Sequence, residues 1–168
     1  MSDIAWQGRW LEVRKQGPWE YVERIGDIGA AVIVAIDDGC VILVEQDRIP
    51  VGARSLELPA GLVGDDAEGE SIEDAANREL EEETGYRADR IERLGAFRSS
   101  PGMTSERFEL VRATGLTRVG DGGGHDGEDI VIHRVPLADL PAFVAERRAA
   151  GVAVDAKMLL LLGPTLLG

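Results

Sequence analysis

One stretch, Glu70-Ser-Ile-Glu-Asp-Ala-Ala-Asn-Arg-Glu-Leu-Glu-Glu-Glu-Thr-Gly-Tyr86, constrains this chain more than any other. Ser71 with Asp74 three residues on is a helix-start signal and Gly85 is a stop, so the spacing predicts a helix between them. Successive helical residues turn by about 100°, which places Glu79 and Glu83 on the same stripe as Ile72 and Ala76. Those two carboxylates are expected to point inward, with Asn77, Asp74, Glu81 and Glu70 on the opposite, wet side. Glu79, Glu81, Glu82 and Glu83 also crowd the last turn, where the helix dipole disfavours negative charge and acids four apart repel. The arrangement is unfavourable unless a cation offsets it. Acids without a neighbouring histidine or cysteine suit a hard, oxygen-seeking ion such as Mg2+ or Mn2+. A solvated helix would carry its acids outward, as Asp74 and Glu81 do but Glu79 and Glu83 do not.

The set Gly64, Glu70, Arg78, Glu79, Leu80, Glu82, Glu83, Gly85, Tyr86 also resembles the signature box of the Nudix hydrolases at every fixed position. The resemblance implies an α/β protein with the Nudix fold, an α/β/α sandwich around a mixed β-sheet. It further implies hydrolysis of a diphosphate attached to another group, with Mg2+ as cofactor and Mn2+ as a substitute. By the same resemblance Glu79 and Glu83 are metal ligands, Glu82 is a further ligand or shared carboxylate, and Arg78 orients the glutamates. Just before the box, Pro59 removes a backbone donor and Gly61 frees the chain, leaving the Ala60 carbonyl available to a metal; the family uses the carbonyl at this position as a ligand. Gly64 fits the literal spacing, but Gly61 is read as the structural equivalent of the first box glycine, with Gly64-Asp65-Asp66 as an extension.

A length of 168 residues allows one domain with a real core. A net charge of −13 argues against nucleic acid or an anionic membrane as partner, since both would be repelled. Cys40 is the lone cysteine, in an apolar run, so a disulfide framework is excluded and a reducing compartment is expected. With neither a signal-peptide pattern nor a run of membrane-spanning length, the expected location is cytoplasmic.

All three tryptophans, Trp6, Trp10 and Trp19, fall in the first twenty residues of a chain that is 5% aromatic. The alternations Arg9 to Arg14 and Glu20 to Arg24 predict two strands around a Gly17-Pro18 turn. Flat rings there would serve to stack a base or to anchor a dimer. Arg9-Trp10-Leu11-Glu12 and Pro18-Trp19-Glu20-Tyr21-Val22-Glu23-Arg24 resemble the N-terminal strands of the ADP-ribose and ADP-sugar pyrophosphatase branch. That branch exchanges these strands across a homodimer and sandwiches adenine between two tryptophans. The resemblance makes Trp10, Trp19 and Glu20 substrate-binding residues and divides the chain into a strand segment, 1–26, and a hydrolase domain, 27–168.

Ile28 to Ile36 and Cys40 to Gln46 read as two buried strands joined by Asp37-Asp38-Gly39. Arg48 stands where this branch keeps an arginine that contacts substrate phosphate. Ile91 to Arg98 and Arg107 to Ala113 read as strands flanking a Ser-Pro-Gly turn, with Pro101 at the distance typical of ADP-ribose-type members and Glu106 matching an acid that binds substrate or metal in relatives. The segment Gly120 to Glu128 is glycine-rich and is expected to be either a loop that closes over substrate or a plain linker. Its end resembles the catalytic loop of ADP-ribose and GDP-mannose pyrophosphatases, which makes Glu128 the candidate base or metal ligand and Asp126 the alternative; His125 is a weaker candidate. Ile130 to Val135 reads as a last strand, Leu137 to Ala150 as a helix, and Asp155 as the cap of a final helix; by the resemblance, Lys157 stands where relatives place a basic residue towards substrate. The function implied is hydrolysis of ADP-ribose or a related nucleoside diphosphate sugar to a nucleoside monophosphate and a sugar phosphate. The alternatives are a GDP-mannose pyrophosphatase and a non-catalytic nucleotide-sugar-binding domain.

Overall fold

The computed structural model describes residues 2–26, 29–64, 69–125 and 127–167, so the expectations at Ile28, Asp65, Asp66 and Asp126 lie outside the described residues. In chain order its elements are β1 (Asp3–Gln7), β2 (Leu11–Gln16), β3 (Trp19–Arg24), β4 (Ala30–Asp37), β5 (Cys40–Arg48), β6 (Ala53–Glu57), β7 (Ala60–Leu62), α1 (Ile72–Thr84), β8 (Tyr86–Arg98), β9 (Arg107–Arg118), β10 (Val131–Pro136), α2 (Leu140–Ala149), β11 (Ala153–Val154), a 3-10 turn (Ala156–Met158) and α3 (Leu159–Leu167).

The β4–β5 hairpin forms as expected. Its two-residue turn needs positive φ twice, and Asp38 at 46° and Gly39 at 71° supply it. The two strands then part. They pair only at Ile36–Val41 and Asp37–Cys40, after which β4 joins β9 in parallel and β7 antiparallel, while β5 joins β10 and β6. This divergence opens a wedge in the middle of the mixed sheet, and the candidate site lies in it.

Strand β4 reads apolar throughout because both its faces are covered. Ala31, Ile33 and Ala35 pack with Ala76 and Leu80 of α1, whereas Val32 and Val34 pack with Leu140, Val144, Met158 and Leu162 of the C-terminal helices. Side chains alternate across a strand, so one continuous apolar run feeds two cores, and the α/β/α sandwich follows. No helix among the described residues is long and apolar enough to cross a membrane.

The N-terminal segment makes a separate antiparallel sheet of β1, β2 and β3. Two strands were expected; Asp3–Gln7 adds a third and places Trp6 in it. The sheet is tied to the body through β3: Val22 donates to the Met103 carbonyl at 2.9 Å and accepts from Ser105 N–H at 3.0 Å.

Asn77 departs from the expectation of a wet position. Its amide donates to the Ala88 carbonyl at 3.0 Å and accepts from the Ala88 N–H at 2.9 Å, pinning α1 to β8. Helical periodicity sets direction, but the long strand β8 folds back alongside α1 and covers that side. Asn77→Ala would leave both Ala88 groups without their partner and should cost about 2 kcal/mol of stability. Denaturant unfolding should show a lowered midpoint at unchanged slope; an unchanged midpoint would mean that water replaces the amide.

Candidate active site

Helix α1 has the expected caps. The Ser71 hydroxyl accepts from Asp74 N–H at 3.1 Å, and Gly85, left-handed at φ 72°, donates to the Glu81 carbonyl at 2.8 Å. The glycine segment is packed on this helix end. Gly123 and Gly124 donate to the carbonyls of Glu83 and Glu82 at 2.9 and 3.0 Å, and Val119 and Gly120 donate to Gly85 at 2.8 and 3.1 Å. A Cβ at Gly122 would run into the backbone of Thr84 and Gly85. Gly122, Gly123 and Gly124 thus form a belt on the helix end: the N–H groups of Gly123 and Gly124 satisfy carbonyls of its last turn, and the missing side chain of Gly122 lets two backbones touch.

The carboxylates at this helix end meet different neighbours. Arg78 donates to Glu70 at 3.0 Å, to Glu79 at 2.9 Å, to Glu82 at 3.0 Å and to the Leu62 carbonyl at 3.2 Å. Glu70, expected on the wet side, is drawn in by this arginine and by Gly64 N–H at 3.1 Å. Glu83 has only 6% of its surface exposed and accepts from the Ala60 N–H at 3.1 Å, with no salt bridge to it among the described residues. Burial pushes its carboxyl up to about 8, with the nearby charges of Glu79 and Glu128 adding to the rise. Burial also raises Glu79, against the pull of Arg78.

Ladder bonds between β4 and β7 run through Ile33–Pro59 at 2.9 Å and Val63–Gly29 at 3.0 Å. Antiparallel bonding alternates along a strand, so the backbone groups of Ala60 and Leu62 face away from β4. Leu62 takes Arg78 there and Ala60 takes Glu83, which puts the Ala60 carbonyl on the Glu83 side. Between them, a Cβ on Gly61 would collide with the Glu79 carboxyl. Only glycine lets that carboxylate lie against the chain.

A cleft of about 430 Å³ gathers Ala60, Glu79, Glu83, Glu106, Glu128, Arg48 and Lys157 from β5, β7, α1, the loops and the turn after β11. Arg48 grips Glu57 through Nε and Nη2 at 2.9 and 2.7 Å, leaving Nη1 as a donor. Lys157 donates to Asp155 at 2.7 Å and stands over the Phe108 ring at 5.9 Å. Glu106 accepts from Ser99 at 2.8 Å and lies 3.8 Å from Arg24. Glu128 accepts from His125 N–H at 3.2 Å, and the His125 ring lies 3.0 Å from Glu82, which stands beside the cleft. Arg24 and Gln46 also line it. Sequence reasoning missed both: Arg24 ends an alternating strand with no distinguishing pattern, and Gln46 is signalled only as a polar residue closing a buried apolar run.

Trp10, Trp19 and Glu20 stand outside this cleft. Trp19 lines a separate groove with Tyr21, Pro101 and Thr104. Trp10 is 62% exposed, with the Arg9 guanidinium 4.4 Å from its ring, and Glu20 pairs with Lys15 at 3.3 Å. Arg54 is turned away to Glu45 and Asp129.

The residues fit a hard divalent cation. Glu57, Glu79, Glu83, Glu106 and Glu128 outnumber Arg24, Arg48 and Lys157 in the cleft, so an anion entering it needs added positive charge. Every available ligand is oxygen, and the least compensated of them, Glu83, is buried. Among the described residues the acids do not close on a common point, since Arg78, Ala60 and His125 each hold a different one.

The mixed sheet lies between α1 and the C-terminal helices, and the oxygen-lined cleft opens at the end of α1. The NUDIX domain family model matches residues 27–159, and the chain belongs to that family. Nudix hydrolases generally need divalent ions. The mouse ADP-sugar pyrophosphatase is 35% identical, over 94% of this chain and 82% of its own length. The ADP-ribose pyrophosphatase of Bacillus subtilis is 36% identical over 71% of this chain, and the methanol dehydrogenase activator of Bacillus methanolicus is 34% identical over 71%. The chain spans 64% of the length of each of those two, just under two thirds. A crystal structure of an ADP compounds hydrolase, 24% identical, shares the fold with a TM-score of 0.72 over 100% of this chain and 92% of that one.

The raised Glu83 carboxyl makes stability depend on pH. Its folded value of about 8 exceeds the ordinary 4.5, so the folded state holds the proton more tightly in between. The contribution of Glu83 to stability is then fully present below about 4.5 and is lost as pH rises through about 8. Chelator-treated protein should melt at falling temperature across that window, and Glu83→Gln should flatten the fall. Identical slopes in the two proteins would place Glu83 in water.

Proposed function

We propose that this chain hydrolyses the diphosphate bond of ADP-ribose or a related nucleoside diphosphate sugar, giving a nucleoside monophosphate and a sugar phosphate, with Mg2+ as the working ion. One observation carries the reading: the buried Glu83 shares a cleft with Glu79, the outward Ala60 carbonyl and the cations Arg24, Arg48 and Lys157. Glu79, Glu83, the Ala60 carbonyl and Glu128 would hold the ion, with Glu82 as a further ligand. The ion would supply positive charge against the diphosphate and acidify a water molecule. Arg48, through Nη1, and Lys157 would bind phosphate oxygens; Glu128 would accept the proton of the attacking water; Glu106 would hold substrate from the opposite wall. The names of the mouse and Bacillus subtilis relatives support the substrate class. The lone, buried Cys40 supports a reducing, cytoplasmic setting.

Residues 1–26 would serve as a strand segment for dimerisation and base binding, with 27–168 as the hydrolase domain. Trp10 precedes β2 and Trp19 opens β3, so they stand at opposite ends of one hairpin. That is roughly 20 Å along the strand, too far for both to stack on one base. A sandwich of one base between them therefore requires a second copy of the chain, which supports the homodimer. Glu20, next to Trp19, would contact the base or ribose.

Incubation with Mg2+ and ADP-ribose, ADP-glucose, GDP-mannose or NADH should give fastest turnover with ADP-ribose or ADP-glucose. Preference for GDP-mannose would favour the guanine alternative, and heat on titration without product would favour a binding domain. Glu83→Gln should lose several orders of magnitude in rate while remaining folded; unchanged turnover would defeat the metal assignment. Trp19→Ala should raise KM, and the wild type should sediment as a dimer; a monomer with unchanged KM in the variant would refute the exchanged sandwich.

A further inference from the structure

Arg54 has no place in the cleft, yet its guanidinium makes four hydrogen bonds and lies 3.8 Å from Asp47. Nε donates to the Glu45 carboxylate at 3.2 Å and Nη2 to the Glu45 carbonyl at 2.8 Å. Nη1 donates to the Asp129 carboxylate at 3.0 Å and Nη2 to the Asp129 carbonyl at 2.9 Å. Glu45 is 3% exposed and is itself clamped by Arg147 of α2 through two bonds of 2.8 Å, with the His133 ring of β10 at 3.3 Å. Arg54 is thus held rigidly from behind by a buried carboxylate and grips Asp129, the residue immediately after Glu128, by side chain and backbone together. A lone exposed ion pair holds a loop weakly because both side chains must be ordered. Here the arginine is already ordered, and the carbonyl bond fixes the main chain itself.

The other end of the segment is tied to α1 by Gly123 and Gly124. Gly124 packs so closely on Glu128 and Ile130 that a Cβ would strike both, and Glu128 N–H returns to the His125 carbonyl at 3.0 Å. Ile130 is buried, 7% exposed, and begins the approach to β10. Glu128 therefore sits between an anchor on the box helix and an anchor on β6, and its carboxylate enters the cleft where these two hold it.

We propose that Arg54 is a positioning residue for hydrolysis: through Asp129 it sets where the Glu128 carboxylate stands. The inference rests on the proposed role of Glu128. Displacing a reacting group by about 1 Å can cost on the order of 100-fold in rate, whereas ground-state binding made by Arg48 and Lys157 is untouched. With ADP-ribose and Mg2+, Arg54→Ala should lower kcat about 10- to 100-fold and change KM by less than about twofold. Asp129→Ala should reproduce part of the loss, and adding Arg54→Ala to Glu128→Gln should lower kcat no further. Amide hydrogen exchange without metal or substrate should quicken at Glu128 to Ile130 in Arg54→Ala and stay unchanged in α1. Arg54→Lys keeps the charge and one bond, so it should fold even where alanine does not and recover part of kcat.

Full activity in Glu128→Gln would overturn the role of Glu128 and this inference with it. An inactive Glu128→Gln beside Arg54→Ala and Arg54→Lys of wild-type kcat would overturn this inference alone. Losses in the Arg54 and Glu128 variants that multiply would likewise overturn it, because Arg54 would then act by another route.

Discussion

The structure depends on a carboxylate held where a carboxylate is expensive. Glu83 ends α1 against β7, buried under a single backbone N–H from Ala60, with Glu79 and Glu128 near enough to add their repulsion. Burial of this kind costs stability unless charge arrives to offset it, and much of the surrounding architecture manages that cost. Arg78 answers Glu70, Glu79 and Glu82, and Arg87 answers Glu81 at 2.7 Å. The glycine belt presents N–H groups to the carbonyls of Glu82 and Glu83, lending partial positive charge to the negative end of the helix. At Glu83 itself the Ala60 N–H and the charge of Arg48 do not offset the burial, which is what makes it suited to a cation brought from outside.

The wedge between β4 and β5 is what turns this local tension into a site. If the hairpin stayed zipped past Ile36–Val41, the cleft would be filled by a ladder and α1 would end against closed sheet. Instead β4 serves one half of the sheet and β5 the other, so the Ala60 carbonyl from one side and Arg48 from the other look into the same space. Apolar residues on both faces of β4 hold the two halves together with separate cores.

Much of the site was legible because it is written in short-range spacing. The Glu79–Glu83 stripe, the Ser71 and Gly85 caps and the Asp38-Gly39 turn follow from 3.6- and 2-residue periods and from the conformational limits of glycine. The misreadings share one cause. Local pattern assigns Asn77 and Glu70 to water and gives no sign that Gly123 and Gly124, within the segment Gly120 to Glu128, are bonded to α1, because the partners Ala88, Gly64, Arg78 and the end of α1 arrive from other elements. Arg24 and Gln46 went unnoticed for the same reason.

By itself the sequence determined the family, the acidic helix with its inward carboxylates and the doubly buried strand that demands layers on both sides, since these depend on neighbours within a few residues. Only the tertiary structure decided that β4 and β5 diverge, that glycines cap the box helix and that Arg54 reaches Asp129 across 75 positions. Those contacts join parts of the chain whose separation carries no periodic signal; they exist because packing the two cores brings the strands there, and the polar groups then pair with whatever they meet.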